Sequence, residues 1–182
     1  MKLIENIKDY FGIKKLNSLL AKSNRNALFC NLNKANSVGL ITSIKNEEDY
    51  QKLITFVKYL KGDIGVRNVK AIAFYSEKDE PYFLQSKLSF DYFTSEEVSW
   101  NRDPIKDTCI SFIKEDFDIL IDLTDEFIIP LRSILVQSKA GFKVGKYSVE
   151  NEPYYDFMID SEHNNFSQFT KEAVRYLTII NG

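Results

Sequence analysis

The sequence predicts an α/β fold, three layers deep, with a mainly parallel central sheet and an amphipathic helix at the N-terminus. Three observations predict it. Residues 117–148, FDILIDLTDEFIIPLRSILVQSKAGFKVGKYS, read as strand, polar turn, helix and strand in one short unit. Parallel strands need such a crossover, and it is almost always right-handed. The strand-like runs at 38–44, 69–75, 117–123 and 142–147 are nearly continuous in apolar residues, as strands covered by helices on both faces are. Stripes at helical spacing lie between them.

Taken in order, Leu3, Ile4, Ile7, Tyr10, Phe11, Leu16, Leu19 and Leu20 define an amphipathic helical segment over residues 1–23, with Gly12 marking a kink or break. Its polar face is rich in Lys but interrupted by Glu5 and Asp9. Packing on the rest of the chain or on a partner is therefore expected, and membrane-surface contact is not. Residues 24–182 are read as a single α/β domain. An Asn-rich connector at 24–36 leads into the first central strand. Asn46 caps the following helix, with Glu47, Glu48 and Asp49 well placed in its first turn. Leu53, Ile54, Val57 and Leu60 form that helix's stripe, and Gly62 and Gly65 end it. The second strand, 69–75, runs into the turn SEKDEP. Residues 82–100 hold one or two short strands and a helical turn. Asp103-Pro104 reads as an N-cap with Pro at the first helical position. Pro130 falls in the first turn of a helix over 127–139. Residues 155–160 alternate like a strand, and 165–180 form a closing helix.

Composition excludes several function classes. A chain of 182 residues with 44% hydrophobic and 27% charged residues buries an ordinary globular core. A net charge of -2 exerts no global pull on nucleic acid, so no nucleic-acid partner is expected. The aromatic content of 14% fits a thick core or an adhesive surface. No apolar run approaches the roughly 20 residues of a transmembrane helix, and no signal-peptide core is visible. Cys30 and Cys109 lie far apart in apolar surroundings, as reduced thiols in a cytoplasmic protein do.

Motifs for common chemistries are missing. No GxGxxG or GxxxxGK[ST] follows an early strand, and TSIKNEED after the first strand would repel a phosphate. His163, the one histidine, reads as a solvated loop residue, so no metal site or Ser-His-Asp triad is expected. No cofactor is assigned. The candidate ligand-binding residues instead gather at predicted strand ends, where open α/β sheets hold their ligands. Asp122 sits near the end of an apolar strand and needs a partner there. Thr124 and Asp125 follow it, and capping the next helix is their plainer role. Arg132 could pair with either Asp. Lys143, Lys146, Tyr147, Ser43 and Ser76 would line the same rim. Trp100 and Arg102 form an interface candidate, against the alternative of a plug at the end of the core.

The stretches NLNKANSVGLITSIKNEEDYQKLITFVKYL, VKAIAFYSEKDEP, FTSEEVSWNRDPI and FDILIDLTDEFIIPLRSILVQSKAGFKVGKYSVENEPYYDFMID resemble an uncharacterised bacterial α/β family, a domain of unknown function. The resemblance implies a cytoplasmic protein with a Rossmann-like sandwich and supplies no activity or catalytic residues. More distantly, the DILIDL…LR…AGFKVGKYS run looks like one half of a heptosyltransferase-type glycosyltransferase. Two functional readings follow. One is a non-catalytic binding or interaction module, whose partner is a protein, a second copy of the chain or a small polar ligand. The other is a small transferase-like enzyme acting on a nucleotide or sugar nucleotide, with Asp122 and Asp125 as base or orienting groups. A deep pocket over Asp122 favours the enzyme, and a shallow rim beside an exposed apolar patch favours the module.

Overall fold

Val38, Leu40, Ile41, Ile72, Ile119, Leu120 and Ile121 are wholly buried, and they build the middle of one sheet. The computed structural model describes residues 2–23, 25–161 and 165–180, so His163 lies outside the described residues. Chain order is α1 (Lys2–Lys22), β1 (Ser37–Ser43), α2 (Glu47–Gly62), β2 (Asn68–Tyr75), β3 (Phe90–Thr94), α3 (Asp107–Lys114), β4 (Ile119–Asp122), α4 (Ile129–Gln137), β5 (Phe142–Lys146), β6 (Phe157–Ile159) and α5 (Phe166–Ile179). The six strands are all parallel, in the order β3-β2-β1-β4-β5-β6. This is the Rossmann-like order, which reverses direction between β1 and β4.

Side chains alternate across the strands and so feed two cores. On one face Leu40, Ile121 and Val144 pack under α2 and α5, together with Leu53, Leu60, Phe169 and Leu177. On the other, Ile41, Leu120 and Phe117 meet Cys109 and Phe112 of α3 and Leu131, Ile134 and Leu135 of α4. Pro130 through Val136 of α4 are all buried. The reason is α1, which lies outside α4 and makes it an interior helix. A helix covered on all sides has no need of amphipathicity.

Three expectations need correction. First, α1 runs unbroken through Gly12. A Cβ there would stand 3.0 Å from Ile129 Cγ2 and 3.1 Å from Arg102 Cβ, so glycine serves close helix approach and not a kink. Second, the predicted stripe faces outward over the first three turns. Leu3, Ile4, Ile7, Tyr10 and Phe11 are exposed, while Leu16 is the buried anchor. Arg102 is the cause: it binds Glu5 and Asp9 and so draws the acidic side of the helix toward the protein. Third, α3 begins at Asp107, not at Pro104. Pro104 bridges to Val98, Ile105 N–H donates to Glu97 O, and Ser99 N–H donates to Asp103 O. These pairings hold the segment extended. The Asp103 carboxylate takes Lys15, Ser133 and Gln137 and caps nothing.

Candidate functional site

Strand parity splits the predicted rim in two. On β4, Ile119 and Ile121 point toward α2 and α5, as does Leu123 just beyond it, so Asp122 points toward α4. Asp122 is 1% exposed. Its Oδ1 accepts the Thr124 N–H at 2.9 Å and the Thr124 hydroxyl at 2.5 Å, which closes a local turn. Its Oδ2 accepts the Tyr155 hydroxyl at 2.9 Å and Arg132 Nη1 at 3.3 Å. Burial pushes the Asp122 carboxyl up, while Arg132 and the Thr124 bonds pull the other way. Thr124 and Asp125 do not cap α4; the cap position is Ile128.

Arg132 is itself 3% exposed. Its guanidinium stands 5.1–5.4 Å from the ring centres of Phe127, Tyr154 and Tyr155. Its Nη2 donates to Asn151 Oδ1 at 3.0 Å, while its Nε has no partner among the described residues. Asn151 donates on to Lys146 O at 2.9 Å. Gly145 completes this knot: a Cβ there would lie 2.3 Å from the Tyr155 ring, which rests flat on β5. The sequence reading missed Tyr155 and Asn151, which come from the β5–β6 crossover. Their signal was an isolated YY pair and an Asn in a polar loop.

The opposite side of the sheet end, at the reversal between β1 and β4, holds a crevice of about 140 Å³. Ser43, Lys45, Asp49, Asp125, Glu126 and Phe166 line it. Lys146, on the same face of β5, binds Asp125 at 2.5 Å, and Lys45 binds Glu126 at 2.6 Å. The N-terminus of α2 opens here, and the chain's own side chains close part of it. Asn46 Oδ1 accepts the Asp49 N–H at 3.0 Å, and Asp49 accepts the Lys45 N–H at 3.0 Å. A phosphate would meet the carboxylates of Asp49, Asp125 and Glu126 around this helix end.

The remaining candidates scatter. Ser76 and Tyr147 are exposed and do not line the crevice. Trp100 is 61% exposed and meets Phe11 edge-on at 5.3 Å. Arg102 holds α1 by its ion pairs. Lys143 does not join the rim. It precedes Lys146 by three, so it faces α4 from the start of β5, where it donates to Leu135 O at 2.5 Å and Val136 O at 3.3 Å. These are the terminal carbonyls of α4, a favourable place for a cation. Burial, helped by nearby Arg25, lowers the Lys143 pKa to about 7. Arg25 in turn forks onto Asp156 at 2.5 and 2.6 Å.

Among the described residues no cluster of three His, Cys, Asp or Glu could hold a metal, and no helix is long and apolar enough to cross a membrane. Residues 8–180 match a family of unknown function, DUF6913, and the chain belongs to that family. No curated protein and no solved structure matches it.

Proposed function

We propose that this protein is a non-catalytic interaction module of the bacterial cytoplasm, built on a Rossmann-like frame whose ligand position is filled by its own side chains. The observation that carries this reading is the crevice at the β1–β4 reversal. Its volume of about 140 Å³ falls below the roughly 300–1,000 Å³ of small-molecule pockets. Lys45 in its wall and the adjacent Lys146 already hold Glu126 and Asp125, and the Asp49 carboxylate takes the Lys45 N–H. Asp122 supports the same reading, because each of its oxygens is occupied inside the fold. The unpaired Cys30 and Cys109 fit a reducing compartment. The module's working surface is then the outward apolar face of α1, beside Trp100.

The transferase-like alternative draws on one observation, the position of Ser43, Lys45 and Asp125 where parallel sheets bind nucleotides. A thermal-shift series with nucleotides, sugar nucleotides and divalent metals decides between the two. The module leaves the melting temperature unchanged throughout. A ligand-dependent rise that Asp125→Asn removes would establish the transferase-like site instead.

A further inference from the structure

We infer that the chain forms a two-fold dimer by antiparallel pairing of α1 with α1 of a second copy, centred on Ile7. This names the partner of the interaction surface just proposed and rests on that reading. The first three turns of α1 are inverted. Glu5 and Asp9, still about half exposed, lie on the side that meets the protein and bind Arg102, while Leu3, Ile4, Ile7, Tyr10 and Phe11 are 73%, 58%, 48%, 64% and 40% exposed. Positions three and four apart share a helix face, so these five form one stripe, about 12 Å long at ~1.5 Å per residue.

The stripe reads the same in both directions. About Ile7, Leu3 and Phe11 stand at minus and plus four, and Ile4 and Tyr10 at minus and plus three. A two-fold antiparallel pair therefore sets each aliphatic residue against an aromatic one and Ile7 against its own copy. That is the self-complementarity an isologous interface needs, and it closes at two copies. Trp100 packs on Phe11 and widens the wall that would receive Leu3 of the other copy. With three aromatic rings, the surface is on the order of 700 Å² per copy, near the ~800 Å² of a standard interface. Charge favours protein over lipid. Lys8 and Lys15, which flank the stripe, hold Glu5 and Asp103, so two of the three lysines beside it are paired and Lys14 is the exposed one.

The test is sedimentation of the full chain over a wide concentration range. The parent protein should give a dimer mass. Ile7→Glu alters an exposed position and should weaken association by about a hundredfold, the scale of a hot spot, with circular dichroism unchanged. Ile7→Leu should still dimerise. With Cys30→Ser and Cys109→Ala in the background, Ile7→Cys should cross-link to its own copy through a short bis-maleimide, and Asn17→Cys should not. A monomer at every concentration overturns the proposal. So does a dimer indifferent to Ile7→Glu, or a monomer that sediments with anionic vesicles. The module reading fails separately, by nucleotide stabilisation in the thermal-shift series.

Discussion

Asp122 and Arg132 bind each other where neither touches water, so each residue's replacement is decided by what it leaves behind. Asp122→Asn keeps the shape but strands a buried guanidinium. It should lower unfolding free energy by about 3 kcal/mol in urea titration, and Asp122→Asn with Arg132→Met should recover most of that loss. Lys143 gives a pH signature. Its folded pKa, about 7, lies below the unfolded value of about 10.4, so the folded state carries a cost below pH 7. That cost is relieved as pH rises from about 7 to about 10. Relative to Lys143→Met, the parent chain should gain stability across that window, by at most about 1.4 kcal/mol per pH unit. Urea midpoints of both proteins at pH 7 and pH 9 measure it. Asp122 as a residue in need of a partner was legible in the sequence, because a carboxylate inside an apolar strand must be satisfied. Tyr155 was not, since 33 residues and a crossover separate it from the acid it serves.

Among the elements, α1 shows best what periodicity reveals and what it omits. Spacing gave a helix and its apolar stripe, but a stripe does not say which way it turns. That is settled by Arg102, far along the chain and held at φ 64°, a left-handed conformation uncommon for a side chain of this size. Arg102→Ala should leave the Leu16 half of α1 docked and loosen its first three turns. Hydrogen exchange there should rise by roughly tenfold, while exchange in α4 stays slow. The strands were legible because runs such as SVGLITS and ILID are apolar on both faces. The start of α3 was not, because the Asp-Pro signal at 103–104 is a dipeptide and does not show the pairing of Val98 with Pro104 that holds the segment extended. Likewise Asp122, Asp125, Ser43 and Lys146 lie at or just beyond the carboxyl ends of their strands, but parity divides Asp122 from Asp125, and Lys143 sits at the start of β5.

At the scale of the whole molecule, the outer strands β3 and β6 have five and three residues. Edges that short offer little template to another sheet, which directs association toward helices. The placement of α1 over α4 has a further consequence, which concerns synthesis. Gly12 docks against Ile129, so α1 has no seat until 117 residues beyond Gly12 have been translated. At ~5–20 residues per second that interval is roughly 6 to 23 s. Throughout it the newborn helix shows the ribosome's surroundings both its future inner anchor, Leu16, and its palindromic outer stripe. Neighbouring nascent chains on one messenger could join through that stripe before either sheet has formed, so assembly would begin at the polysome and folding would finish within the pair.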